Sequence, residues 1–433
     1  MTPNSLEFKE KKTNKIGELF FNLGAFFLAT ALPISGIFFI FSIIISFLDS
    51  KFHLLKDKWN LSILFIGGLF IFNTLRLNFI YLDDSSNLDI KVATLNLFNW
   101  IPLFIIFISC QYYLKNQTQR YTFSKYLISG TIPVLISCIM QYRFKIYGPF
   151  KTFYDLIVIF NKPMALNHGV SGLFSNPNYT GIWLSISLPI LLFLISKYKQ
   201  KSLKKVILFF ILLLFIYLIF LTLSRNAIAG LLSTFLIIFG IKKILIFTFF
   251  IFLICISIGV LEQFLNLKNL NLIGEFQIKE LIYKLGFNNA LNIREFTRVK
   301  IWINTLKLIF RKPLFGFGAS TFPIVFYNLT NLKMQHSHNM PLQLAYDYGL
   351  PISILLTFFI TFLFLRSTIK IFKTKNLYNS FFFNKCWLAA CLVAILSHIN
   401  DITYYDGKIS ILIWIIFSGL KCILDETNKK IIT

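Results

Sequence analysis

Long apolar runs separated by short basic or polar links recur from one end of the chain to the other. Runs approaching the ~20 residues that cross a bilayer as a helix mark membrane spans. Twelve are expected, at 16–31, 34–49, 60–80, 93–114, 124–144, 177–196, 206–223, 226–241, 244–263, 339–365, 385–402 and 408–424. The first two are short and separated by Pro33, so 16–49 is readable as two spans or as one bent helix. The expected fold is an all-α, polytopic membrane protein, one multi-pass domain over 1–433.

Two segments break this rhythm, 145–176 and the longer 264–338. Both fall on the same side of the alternating map. Long loops in compact proteins are usually functional. The opposite side collects Lys9–Lys15, Lys51–Lys58, Lys115–Lys125, KYKQKSLKK at 197–205, Lys242, Lys243, Arg366–Lys385 and the C-terminal lysines. Short loops rich in lysine and arginine stay cytoplasmic. Both termini are therefore expected inside the cell and both long segments outside.

Composition supports this map: 56% of the 433 residues are hydrophobic and 14% charged, against about 45–50% and about a quarter in soluble domains. The net charge of +25 reads as orientation signal and contact with acidic lipid, not as a nucleic-acid site. The charged start and the lack of a small-residue cleavage site after it argue against a cleaved signal peptide. Six cysteines lie scattered in apolar segments without a CxxC pair, which suggests neither zinc nor a disulfide framework.

Candidate chemistry gathers outside. In FTRVKIWINTLKLIF (296–310) apolar residues at 299, 302, 303, 306, 309 and 310 have a helical period. An amphipathic helix on the membrane surface accounts for them, and it would carry Arg298 at the depth of a lipid-linked phosphate. Pro313 should end that helix, with Gly316 and Gly318 allowing a tight turn. Arg225 sits in a very short outer link. It is either a snorkelling helix-end arginine or a ligand for an anion. Asn176 followed by Pro177 reads as a helix cap and first turn, with Asn178 free either to support the cap or to face a ligand.

His336 and His338 are two of five histidines. A metal would need a third ligand, and His53, His168 and His398 lie on other segments. No Asp-x-Asp pair occurs, so a glycosyltransferase holding a metal-bound sugar nucleotide is not expected. An imidazole near its ordinary pKa suits general base work, although a structural role for one of the pair also fits.

In this order the pieces resemble the O-antigen ligase and O-antigen polymerase superfamily of bacterial envelope proteins. The ligase pattern of His, Asn, nine residues and Gly is matched by His338, Asn339 and Gly349, while Ile352 departs from its last position. Arg298, Trp302, Pro313, Leu314, Gly316, Gly318 and Phe322 match a second landmark, Ser224 and Arg225 a third, and Gly172, Phe174, Asn176, Pro177 and Asn178 a fourth. The resemblance implies metal-independent, inverting transfer of a saccharide from undecaprenyl diphosphate to an acceptor hydroxyl, without a cofactor. The acceptor would be lipid A core or another glycan or lipid-linked unit. The transfer would occur at the periplasmic face of the bacterial inner membrane.

Within that resemblance His338 would be the base and Arg225 and Arg298 the diphosphate ligands. Arg294, His336, Asn339, Asn178 and Trp302 would bind substrate. A repeat-unit polymerase is the alternative within the class. A small-anion transporter is the alternative outside it, although its groups would be expected near the bilayer midplane.

Overall fold

The computed structural model describes residues 14–50, 53–80, 90–164, 169–199, 202–243, 297–373 and 378–426. The expected span 244–263, the first part of the long outer segment, and Arg294 and His168 lie outside the described residues. Helices dominate. In chain order they are α1 (Lys15–Phe27), α2 (Leu32–Ser50), α3 (Lys58–Ile80), α4 (Ile90–Leu95), α5 (Ile101–Cys110), α6 (Gln117–Arg143), α7 (Pro177–Ser196) and α8 (Leu203–Leu221). They continue as α9 (Arg225–Phe239), α10 (Thr297–Ile309), α11 (Phe322–Thr330), α12 (Met340–Tyr348), α13 (Leu350–Lys373), α14 (Tyr378–Asn400) and α15 (Gly407–Asp425).

Among the described residues nine helical stretches are long and apolar enough to cross a membrane, which makes the chain a multi-pass membrane protein. Several expected spans change shape. The 13 residues of α1 reach about 20 Å at 1.5 Å each, short of a ~30 Å hydrocarbon core. It folds back on α2 across a turn, where the Ser35 hydroxyl donates to Gly24 O at 2.7 Å. The 93–114 stretch is one apolar passage, Lys91–Tyr113, interrupted by a 3-10 turn at Asn96–Asn99 just ahead of Pro102.

The run 339–365 is two helices. Gly349 breaks it with φ +90°, and a Cβ there would lie 2.1 Å from Leu314 O. Only glycine fits both demands. Segment 145–176 adds a small antiparallel hairpin, β1 (Phe150–Thr152) with β2 (Ile157–Ile159), to the helices of the described residues.

The centre of the bundle is the α7–α9–α14 trio. Small residues let these helices approach closely, as packing in a membrane requires. A Cβ on Gly181 would meet Ala227 at 2.6 Å, one on Gly230 would meet Ser185 and Val393 at 3.0 Å, and the Ser185 hydroxyl donates to Ala227 O at 2.9 Å. On the other flank of α14, Gly419 of α15 makes room for Trp387, whose indole N–H donates to Ile416 O at 2.8 Å.

The lysine-rich end of the bundle is fastened by ion pairs in which a buried cation meets a partly exposed carboxylate. Arg120, fully buried, meets Glu426 at 2.6 Å, and Lys421 meets Asp57 at 3.0 Å and Asp425 at 2.5 Å. Such pairs tolerate burial because both partners are present; removing one would leave an uncompensated charge. The candidate chemistry lies at the opposite end.

Candidate active site

Three helix starts converge on the C-terminal end of α14. The α7 start is set by Gln141, whose Oε1 accepts the N–H groups of Ser171 (2.9 Å) and Gly172 (2.8 Å). Gly172 turns with φ +49°. Asn176 then caps α7 by accepting the Asn178 N–H at 2.9 Å, ahead of Pro177 in the first turn. That cap is the one expected. The Asn178 amide reaches across to donate to Asp401 Oδ2 at 3.2 Å.

The α9 start follows Leu223, at φ +51°, and is capped by Ser224. Arg225 is its first residue and is exposed. Asn226 donates to Ser397 O at 3.4 Å. The α12 start is capped by Asn339, which accepts the Leu342 N–H at 3.0 Å and donates to Ile399 O at 2.9 Å. Helix N-termini carry partial positive charge and unpaired N–H groups, which favours anions.

The amphipathic helix appears where its period placed it, as α10. Beyond it Gly316 (φ +70°) and Gly318 (φ +92°) make the turn. Phe317 N–H donates to Tyr346 O at 2.8 Å and Gly318 N–H to Asp347 O at 3.0 Å, which lays this turn on the end of α12. Asn73 of α3 clamps both, donating to Tyr348 O at 2.6 Å and Phe315 O at 3.1 Å. On α10 itself the Trp302 indole donates to Ser337 O at 3.0 Å.

His338 stands between these elements with φ +55°, an uncommon backbone state for a side chain of its size. Its Nδ1 faces Asp401 Oδ1 at 3.3 Å, with His338 31% and Asp401 8% exposed. Asp401 also accepts the Ile402 N–H at 2.9 Å. Burial pushes the Asp401 carboxyl up, but the bonds from His338 and Ile402 and the charge of Arg298 outweigh it and hold the pKa below the usual value. An ionised Asp401 fixes the proton on His338 Nδ1 and leaves Nε2 as the free lone pair.

The partner ring is inert by comparison. His336 lies 4.3 Å from His338 between centroids and accepts the His338 N–H on its Nδ1 at 3.3 Å. Burial, then the neighbouring His338, lowers its pKa to about 4. It therefore stays neutral above that pH.

Arg298 is half-buried. Burial, and after it the like charge of Arg225, lowers its pKa, while Asp401 works the other way. Arg298, Arg225 and Asp401 thus share one electrostatic neighbourhood. Among the described residues no carboxylate stands within ion-pair distance of either guanidinium.

His336, His338 and Asp401 offer ligand atoms within 4.8 Å of one another, a third ligand that spacing along the chain did not suggest. A tetrahedral zinc-type ion needs donors about 2 Å from the metal, hence about 3.3 Å apart. Here His338 Nδ1 is engaged by Asp401, and His336 Nδ1 by a backbone N–H. A cation bound through these Nδ1 atoms would have to break both bonds, whereas the Nε2 atoms are the positions open to a ligand. The contact to Asp401 orients His338 as a base would require.

The site residues thus sort into two groups. His338, Arg225, Arg298 and His336 come together, and Asp401 joins them unannounced by the sequence. Asn178, Asn339 and Trp302, expected at substrate, have polar atoms bonded to the protein's own frame. His398 turns away to Thr403 at 2.9 Å.

The family model described as O-antigen ligase matches residues 210–359, from within α8 to within α13, and so includes Arg225, Arg298, Trp302, His336 and His338. Asn178 and Asp401 lie outside the matched stretch. No curated protein matches the chain. The match over residues 210–359 is consistent with the resemblance of the chain to the O-antigen ligase superfamily.

Proposed function

We propose that the protein transfers a saccharide from a polyprenyl diphosphate, undecaprenyl diphosphate in a bacterial inner membrane, to an acceptor hydroxyl. The observation that carries this reading is the meeting of His338, Asp401, Arg225 and Arg298 where three helix N-termini converge. The lysine bias of the opposite end supports a periplasmic position for this site.

The roles follow from charge. The donor's diphosphate lies against Arg225 and Arg298, whose planar forks match phosphate oxygens. The acceptor oxygen attacks the anomeric carbon from the face opposite the diphosphate. His338 Nε2 takes the hydroxyl proton, Asp401 stabilises the imidazolium, and the carbon–oxygen bond to phosphate breaks with its electron pair. Fixed cations stabilise the leaving charge. The products are an inverted glycosidic bond and free polyprenyl diphosphate. Lipid A core is the acceptor class for a ligase. Ile352, where the ligase pattern has Gly, Thr or Tyr, favours as a second reading a polymerase that joins lipid-linked repeat units.

This chemistry needs no divalent ion. Purified protein in lipid discs, given polyprenyl-diphosphate-linked glycan and acceptor, should turn over in excess EDTA at its ordinary rate. Loss of activity in EDTA with recovery on adding magnesium, manganese or zinc would contradict the two-arginine account.

A further inference from the structure

The residue between the two histidines is held at every polar atom. Ser337 is fully buried. Its N–H donates to Gln343 Oε1 at 2.9 Å, its hydroxyl donates to Asn339 O at 2.9 Å, and its carbonyl accepts the Trp302 indole at 3.0 Å. Gln343, 1% exposed, is itself fixed: its Nε2 donates to Asp347 Oδ1 at 3.0 Å. Asp347 lies one turn further along α12, and its backbone carbonyl is pinned by the Gly318 N–H. A buried glutamine bonded at both ends has one orientation.

We propose that Gln343, held by Asp347, is a positioning residue for His338. By fixing the Ser337 amide it sets the backbone that enters the left-handed turn at His338, and that turn aims the ring at Asp401. A free loop would leave this backbone state, which is uncommon for a non-glycine residue, and swing Nδ1 away from its carboxylate. Asp347 and Gln343 are four residues apart on one helical face, so the relay from α12 to the loop is rigid. The inference deepens the proposed transfer and rests on His338 as its base, but the clamp on the Ser337 amide is measurable without any reaction.

The test uses the full-length protein in lipid discs, with amide hydrogen exchange at residues 333–340 measured beside transfer kinetics. Gln343→Met keeps length and loses both bonds. The Ser337 amide should then exchange faster by about 10-fold or more, as a lost local restraint allows. The kcat should fall about 10²-fold, the scale for a misplaced catalytic group, while KM for the donor is unchanged.

Gln343→Glu places two carboxyls together and should be damaged. Adding Asp347→Asn restores one donor and one acceptor in reversed order and should recover kcat. That rescue decides the matter even if Gln343→Met does not accumulate. Unchanged exchange and kcat in Gln343→Met would overturn the proposal, as would no rescue by the double change. If His338→Ala keeps its rate while exchange at Ser337 still depends on Gln343, the base reading falls and the amide clamp stands.

Discussion

Replacing His338 with alanine should lower glycan transfer by about 10²- to 10⁴-fold, the usual contribution of a general base, without loss of the protein from the membrane. His338 is 31% exposed at the mouth of the bundle, so its truncation opens no cavity in the packed interior. Asp401→Asn should act in the same direction. The introduced amide can donate to Nδ1 and would hold the wrong tautomer, with the proton on Nε2 where the base lone pair should be. Both variants are checked in a deletion strain by glycan extension on gels, with membrane levels matched by blot. Full-length glycan from His338→Ala would pass the role to His336 or to no histidine. His336 is already bonded through Nδ1 to the His338 N–H, so it presents a ring N–H instead of a lone pair.

Arg225→Lys should reduce kcat/KM by about 10- to 10²-fold, although the charge is kept. A lysine offers one point contact where the guanidinium offers a fork to two phosphate oxygens. Losing one charge-assisted hydrogen bond costs about 1.5–3 kcal/mol, which is that fold-change in rate. Arg225 is exposed at the first position of α9, so the change should leave stability alone. The measurement is initial rate against donor concentration with purified variants. A wild-type kcat/KM for Arg225→Lys would make Arg225 a helix-end residue with no part in catalysis.

Several features were legible from sequence because they are local. The Asn176–Pro177 cap depends on adjacent residues, and α10 on a period within one turn-rich segment. The spans 177–196 and 408–424 coincide closely with α7 and α15. The features that were missed are tertiary. The apolar run 339–365 is continuous in hydropathy, and only the approach of Leu314 O to Gly349 shows where it breaks. The strands of the hairpin have three residues each, too few for an alternating pattern to register. Asp401 lies on the link between the last two spans, 63 residues from His338. Its one signal was an acidic side chain in a short outer connection. Gln343 looks like any polar residue in an apolar helix until its two bonds are seen.

The most direct test of the central claim follows both ends of the bond that is broken. Purified protein in lipid discs should consume the polyprenyl-diphosphate-linked glycan and release one polyprenyl diphosphate, observed by phosphorus NMR, for each glycosidic bond formed. The new bond should have the anomeric configuration opposite to that of the donor. Release of polyprenyl monophosphate, retention of configuration, or an intact donor beside folded protein would contradict direct displacement by a hydroxyl activated at His338.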